Sequence, residues 1–260
     1  DAEDLPVMVW FHGGGFTILT GNAKSYNNPE SLPTKGVVLV TVNHRLGPFG
    51  YMAHPLLTQE SDYGGSGNYG QMDLIAALEW VQGNISAFGG DPDNVTIFGE
   101  SGGGGKSHYL IASPLAEGLF HRVICESGFA AGFTRSLEDA EVMGEALAAE
   151  LGVAGEPDAL SAMRGKSWLE IVSAGADTVD ASPNVDGWYL PDTMRNIYEA
   201  GEQNDVPFIL GMNADDMPHG IAGLIEHAPW IAEHTDSNVY LYVFSHVPSQ
   251  WAAQGVGAYH

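Results

Sequence analysis

The stretch VTIFGESGG at residues 95–103 decides the expected fold. Its first four residues are apolar or β-branched and predict a buried strand. A Gly-x-Ser-x-Gly sequence follows, in which Ser101 lies two residues from a glycine on either side. Glycine permits a turn that is too tight for a side chain, and such a turn exposes a serine hydroxyl between a strand and a helix. We therefore predict a nucleophile elbow at Ser101 and a helix over 101–112.

A second motif, HGGGF at residues 12–16, directly follows another apolar run. Successive glycines leave backbone N–H groups open, and the N–H groups of Gly14 and Gly15 can donate to the oxyanion of a tetrahedral intermediate. The N–H group of Gly102, after the serine, is a third donor. A glycine triplet alone is more often a flexible turn, but its occurrence with the elbow favours an oxyanion hole.

Apolar runs and helical patterns alternate along the chain. The runs are continuous rather than alternating, which is typical of strands buried on both faces of a parallel sheet. They occupy residues 6–11, 37–43, 95–98, 122–125, 206–210 and 239–244. Helical patterns cover 69–82 and 136–151, the second with Ser136 as its N-cap and Gly152 as its stop. This alternation predicts an α/β fold with right-handed crossovers.

The composition limits the expected partners. The net charge of −24 arises from 33 acidic and only 9 basic residues. A nucleic-acid or anionic-membrane partner needs a basic patch, so neither is expected. No apolar run is long enough to span a bilayer, so we expect a soluble protein. The single cysteine, Cys125, forms no intrachain disulfide and leaves a cytoplasmic or secreted location open, as it does the oligomeric state.

The sequence predicts neither a cofactor nor a metal. The run GGGGKS at 102–107 is similar to a phosphate loop, but Glu100 stands where that motif requires glycine. A carboxylate there would repel phosphate. No group of His, Cys and Asp residues has the spacing of a zinc or calcium site.

Four blocks within residues 5–128 together resemble the type-B carboxylesterase and cholinesterase family of α/β hydrolases. They are PVMVWFHGGGF, VTVNHRLGPFGY, GNYGQMDLIAALEWVQGNISAFGGDPDNVTIFGESGGG and FHRVICESG. The resemblance continues more loosely through VDGWYLP (185–191) and VPFILGMNADD (206–216). It implies an α/β-hydrolase fold, a mostly parallel central sheet with helices on both faces, and a bacterial carboxylesterase as the expected kind.

The resemblance also implies the partners of Ser101. The family pattern Gly-x-Asn-x-Asp-Glu-Gly reads GMNADDM at 211–217, so the catalytic acid falls on Asp216, with Asp215 as the fallback. The base follows the acid in a Gly-x-x-His context, which fits His260. The other histidines after the acid are His219, His227, His234 and His246.

Chain length departs from the family at both ends. Ser101 and Asp216 are 115 residues apart, which is ordinary, but Asp216 and His260 are only 44 apart. The family places a helical substrate-covering region there, and it has further strands before the glycine triplet. We therefore expect one catalytic domain over 1–260 that lacks the N-terminal edge strands and is incomplete at both ends. The short spacing leaves open whether a segment between Asp216 and His260 is missing. Residues 129–187 are expected to form a cap-like helical segment.

These features predict a serine hydrolase of small-molecule carboxylic esters that works through an acyl-enzyme. The resemblance adds Glu100, Phe16 and Ser127 as residues of the pocket or its surroundings. Two alternatives stay open: a catalytically inactive binding or adhesion module on the same fold, and a hydrolase of amides, lactones or thioesters.

Overall fold

A computed structural model of the chain describes residues 3–24, 28, 30–128, 134–156, 158–216, 220–254 and 257. Two of the candidate bases, His219 and His260, lie outside these residues, as do 129–133 and 157 of the expected cap.

The six predicted strands are all present. The described residues form β1 Leu5–Phe11, β2 Val38–Val42, β3 Gly90–Glu100, β4 Arg122–Glu126, β5 Arg135–Ser136, β6 Asn184–Val185, β7 Phe208–Asn213 and β8 Val239–Phe244. The third strand begins five residues earlier than its apolar run, and the two-residue strands β5 and β6 pair with each other outside the main sheet. The continuous apolar runs therefore predicted which segments form buried strands. They did not predict at which residues each strand begins and ends.

The main sheet has six parallel strands in the order β2-β1-β3-β4-β7-β8. Its register sets Phe11 beside Gly99, and Glu100 beside Glu126. Because the strands are parallel, the segments that follow β1, β3, β4 and β7 all emerge at one edge of the sheet. Within the described residues β2 and β8 are the outer strands.

Helices surround the sheet. They are α1 Gly47–Tyr51, α2 Pro55–Glu60, α3 Tyr69–Asn84, α4 Gly102–Ala112, α5 Leu137–Glu150, α6 Ala159–Arg164, α7 Trp168–Thr178, α8 Met194–Ala200, α9 Gly220–Glu233 and α10 Ser249–Ala252. The Ser136 side chain accepts a hydrogen bond from the Asp139 N–H at 3.0 Å, which confirms the predicted N-cap of α5. None of the described helices combines the length and the apolar character needed to cross a bilayer.

Two separate clusters of buried apolar side chains stabilise the described residues. The larger lies on the central strands, where Val9, Ile97 and Leu210 are fully buried. The smaller joins α5, α6 and α7 through Leu147 and Met163. The segment expected to be cap-like therefore has a small core of its own.

Candidate active site

The turn at Ser101 has the backbone conformation that the motif predicts. Ser101 has φ 55° and ψ −123°, a region that non-glycine residues rarely adopt, and it directly precedes α4. Its N–H group donates to the carbonyl oxygen of Glu126 at 2.8 Å, and its own carbonyl accepts from Gly105. These backbone bonds hold the strained turn between β3, β4 and α4.

The glycines around Ser101 are required by close packing. A Cβ on Gly103 would lie 2.0 Å from the Phe11 carbonyl oxygen, and one on Gly99 would lie 2.6 Å from the same atom. A Cβ on Gly128 would lie 1.9 Å from the carbonyl oxygen of Ser101. Backbone therefore packs on backbone around the serine, and no larger residue fits there without moving a strand.

The glycine triplet lies against the elbow. Gly14 and Gly15 have φ of 80° and 60°, which glycine adopts without strain. A Cβ on Gly13 would lie 3.3 Å from the Cβ of Ser101, and one on Gly102 would lie 2.1 Å from the Gly15 carbonyl oxygen. The three predicted oxyanion donors therefore belong to two backbone segments that touch each other beside Ser101.

A cleft of about 1710 Å³ opens at this point. It brings together four predicted groups, namely Ser101, the 15–16 end of the glycine loop, Gly102 and the Ser127–Gly128 segment. Its other wall comes from α5 and from residues 176–182, at the end of α7 and just beyond it. The segment expected to be a cap thus contributes directly to the wall of the cleft.

Glu100 and Ser127 lie beside the elbow. The Glu100 carboxylate would be 2.9 Å from a Cβ on Gly13, so it touches the start of the glycine loop. Burial, and then the charge of Glu100, raise the pKa of Glu126 on the adjacent strand. Ser127 is buried, and its N–H group donates to the Gly211 carbonyl at 2.7 Å, which ties the loop after β4 to β7.

The loop after β7 carries the predicted acid. Asp216 is half-buried, and its N–H group donates to the Asn213 carbonyl at 3.3 Å in a turn. From this part of the chain the cleft is lined by Met212 and Gly220, not by Asp216. A Cβ on Gly257 would lie 2.6 Å from Oδ2 of the fallback acid, Asp215. The chain near its last residues therefore contacts the acid loop, although His260 itself is outside the described residues.

The other described histidines after the acid have local contacts. Nδ1 of His227 lies 2.8 Å from the Gly223 carbonyl and Nδ1 of His234 lies 2.7 Å from the Trp230 carbonyl, both one turn back in α9. His246 follows β8, and its ring centroid is 6.3 Å from that of Phe244. None of these three lines the cleft within the described part of the chain.

Sequence reasoning missed several residues that form or support the site. Tyr109 and the Arg135–Asp180 ion pair line the cleft, and Lys106 is buried beneath the glycine loop. In the sequence Lys106 stood out only in the rejected phosphate-loop run and in the predicted helix, five residues after the serine. A helical pattern around a lysine does not reveal burial, because here a contact 94 residues away along the chain buries it.

Comparison with known proteins gives the same assignment as the motifs. A sequence model described as "Carboxylesterase family" matches residues 1–228. The chain is 38% identical over 213 residues to a fumonisin B1 esterase of Sphingopyxis macrogoltabida, covering 82% of this chain and 39% of that protein. It is 37% identical over 223 residues to a para-nitrobenzyl esterase of Bacillus subtilis, covering 83% of this chain and 44% of that protein. The chain therefore spans about two fifths of the length of these relatives.

Solved structures agree in fold. A carboxylesterase of Geobacillus stearothermophilus superposes with a TM-score of 0.83 at 28% identity, covering 95% of this chain and 64% of that one. A structure described as a PNB esterase superposes with a TM-score of 0.81 at 29% identity, covering all of this chain and 66% of that one. With the elbow, the glycine loop and the parallel sheet already in place, these matches show that the chain belongs to the carboxylesterase family and has its α/β-hydrolase fold.

Proposed function

We propose that the protein is a serine hydrolase of small-molecule carboxylic esters and that Ser101 is its nucleophile. One observation carries the proposal: the strained elbow at Ser101 faces a glycine loop within a cleft large enough for a small ester. The esterase names of the relatives support the same reaction class.

In the proposed reaction His260 accepts the proton of the Ser101 hydroxyl while Oγ bonds to the ester carbonyl carbon. The carbonyl oxygen becomes an oxyanion, which accepts hydrogen bonds from the N–H groups of Gly14, Gly15 and Gly102. The bond to the alcohol oxygen then breaks, and the protonated His260 donates its proton to that oxygen. Water hydrolyses the acyl-enzyme through the same groups, which returns the carboxylic acid and free Ser101.

We propose Asp216 as the group that orients His260 and stabilises its cation. Asp216 follows β7, and the parallel strands β3, β4 and β7 end at the same edge of the sheet. Support for His260 as the base comes from Gly257, three residues earlier, whose backbone packs against the acid loop.

We further propose that 129–187 acts as a cap within a single catalytic domain. Its separate apolar cluster and its contribution to the cleft wall support that role. A cap of this kind sets substrate size and excludes water from the reacting groups.

Labelling with a fluorophosphonate probe tests the proposal. The hydroxyl oxygen of an activated serine bonds to the phosphorus of a fluorophosphonate, fluoride ion leaves, the serine proton passes to the base, and a stable phosphonyl ester remains on the serine. We expect one adduct per chain, on the peptide that contains Ser101, and none in Ser101→Ala. Ser182→Ala is the matched control, because Ser182 lines the same cleft without following an elbow. An adduct on another residue, or none on the wild-type protein, would contradict the proposal.

A further inference from the structure

Lys106 is fully buried on α4, five residues after Ser101. The chain has only nine basic residues in all, and an ammonium group is costly to remove from water unless something compensates for it. The salt bridges among the described residues do not include Lys106. Its burial therefore calls for an explanation other than an ion pair.

Two contacts of the Lys106 ammonium explain where its side chain goes. Nζ donates a hydrogen bond to the carbonyl oxygen of His12 at 2.9 Å, and it lies 5.5 Å from the ring centroid of Phe16. The second distance is within the range of a cation–π interaction. His12 and Phe16 are the residues immediately before and after the glycine triplet, so one ammonium group contacts both ends of the loop 13–15.

We propose that Lys106 is a positioning residue, which clamps both ends of the loop 13–15 and so fixes the loop's N–H groups relative to Ser101. The catalytic consequence of this inference rests on the proposed function, whereas the clamp itself does not.

A loop of three glycines needs such support. Glycine loses more conformational freedom on ordering than any other residue, and Gly14 and Gly15 both adopt positive φ. Oxyanion donors act only when they are fixed in place before the reaction. A displacement of about 1 Å in such a group costs about 10²-fold in rate.

The surroundings of Lys106 make the clamp depend on pH. Burial lowers the pKa of Lys106 to about 7. Burial and the charge of Lys106 also lower the pKa of His44, to about 3, and burial is the main cause that lowers the pKa of His12, so both stacked rings are neutral near pH 7. The other titratable or charged groups on α4, on the elements packed against it and in contact with Phe16 are Tyr51, Tyr69, Asp73, Glu79, Asp91, Asp93, Glu100, His108, Tyr109, Arg122, Cys125, Glu126, Arg195, Tyr198 and Glu199.

The sign of the effect follows from the charge of the ammonium. Below about pH 7 Lys106 is protonated, and both its bond to the His12 carbonyl and its contact with Phe16 are charge-assisted. Above that pH the neutral amine loses most of this attraction, so the loop is held less firmly. The turnover number should therefore fall as pH rises through about 7, in addition to the acidic limb set by the catalytic histidine.

Three variants of the whole protein test the proposal. Lys106→Met keeps the length of the side chain without its charge, Lys106→Arg keeps a charge that does not titrate, and Lys35→Met removes an exposed charge as the matched control. The readouts are kcat and KM for p-nitrophenyl acetate between about pH 5.5 and about pH 9, and amide hydrogen exchange of the peptide that contains residues 13–15.

For Lys106→Met we expect kcat to fall about 10²-fold at about pH 6.5 with KM nearly unchanged, because the N–H donors of the loop act on the transition state. Its alkaline limb should disappear, and the loop should exchange about 10-fold faster or more, since a charge-assisted bond is lost. Lys106→Arg should retain the hydrogen-exchange protection of the loop, and its kcat should not decline above about pH 7. Lys35→Met should match the wild-type protein in every readout.

Two outcomes would overturn the inference. One is unchanged exchange of the loop in a folded Lys106→Met protein; if that variant does not fold, the other is an alkaline limb retained by Lys106→Arg. Failure of the proposed function looks different. A wild-type protein that exchanges slowly in the loop but turns over no ester would contradict the function, while the exchange of the variants would still decide the clamp.

Discussion

The two sides of the proposed catalytic centre differ in how the fold holds them. On the nucleophile side, β1 and β3 lie inside the sheet, and Val7, Val9 and Ile97 are fully buried. On the acid side, β7 borders β8, an outer strand of the described sheet, much as β1 borders β2 at the other edge. In β8, however, Tyr240 is 55% exposed and Phe244 is 51% exposed. Dense packing therefore holds the nucleophile side in place in the folded protein. The acid side lies next to a strand whose side chains are more exposed.

This difference in packing determines which residue types fit on each side of the site. Around Ser101, backbone packs so tightly on backbone that only glycine fits at four neighbouring positions: Gly99, Gly102, Gly103 and Gly128. At the acid loop, the Asp215 carboxylate contacts the backbone at Gly257, and Asp216 is half-buried. Substitutions of these four glycines should therefore impair folding, whereas substitutions of the two acid-loop carboxylates should impair only the reaction.

The largest expected effect concerns the acid. Asp216→Asn should lower kcat about 10⁴-fold without loss of stability, because an amide stabilises the wrong histidine tautomer and no cation. Asp215→Asn, on the adjacent residue, should leave kcat within a few-fold of the wild-type value. Ester hydrolysis at saturating substrate measures both, and a large loss in Asp215→Asn alone would move the role of the acid to Asp215.

On the nucleophile side, Gly103→Ala should destabilise the protein by more than about 4 kcal/mol, since its Cβ would meet the Phe11 carbonyl oxygen in the sheet. Gly83→Ala is the control, because Gly83 lies in α3 with open space around the new methyl group. That control should gain about 0.5–1 kcal/mol from helix propensity. Urea denaturation measures both changes, and similar stabilities for the two variants would refute the packing argument.

One substitution made on both sides measures the contrast itself. Val9→Ala on β1 removes two fully buried methyl groups and should cost about 2–3 kcal/mol. Val243→Ala on β8 affects a side chain that is 44% exposed and should cost less than about 1 kcal/mol. Equal losses in urea denaturation would show that β8 is held as firmly as the central strands.

A smaller effect is expected at the junction between the two sides. His108 on α4 is buried, and its ring lies 5.5 Å from that of Phe208 at the start of β7. Burial lowers its pKa to about 3, so the folded protein holds the ring neutral while the unfolded chain protonates it below about pH 6.5. His108 therefore costs no stability above about pH 6.5, and the free energy of unfolding falls as the pH decreases from about 6.5 toward about 3.

At about pH 5 this histidine should lower the free energy of unfolding by about 2 kcal/mol relative to about pH 7. His108→Gln can still bond to the Tyr198 hydroxyl, which lies 3.2 Å from Nε2 in the wild-type protein, and should lose less stability over the same interval. The free energy of unfolding of both proteins at the two pH values provides the measurement. An identical loss in the two proteins would show that other groups cause it.

Sequence predicted most of the fold because burial on both faces of a strand leaves a continuous apolar run. All six strands of the sheet, three of the helices and the elbow follow from local pattern. Residues 135–136 and 184–185 were missed because a two-residue strand has no period. Lys106 was missed because its burial depends on the glycine loop far away in the chain. The role of His260 stays a prediction, since it rests on the resemblance and on the position of Gly257.

We propose above that Ser101 acts as the nucleophile and lies beside its oxyanion donors. Rapid mixing with p-nitrophenyl acetate, followed by mass spectrometry of the quenched protein, tests it most directly. We expect a burst of about one equivalent of p-nitrophenol per chain, with an acetyl group on the peptide that contains Ser101. Product release that is linear from the start, with acetyl groups absent from that peptide or present equally in Ser101→Ala, would contradict it.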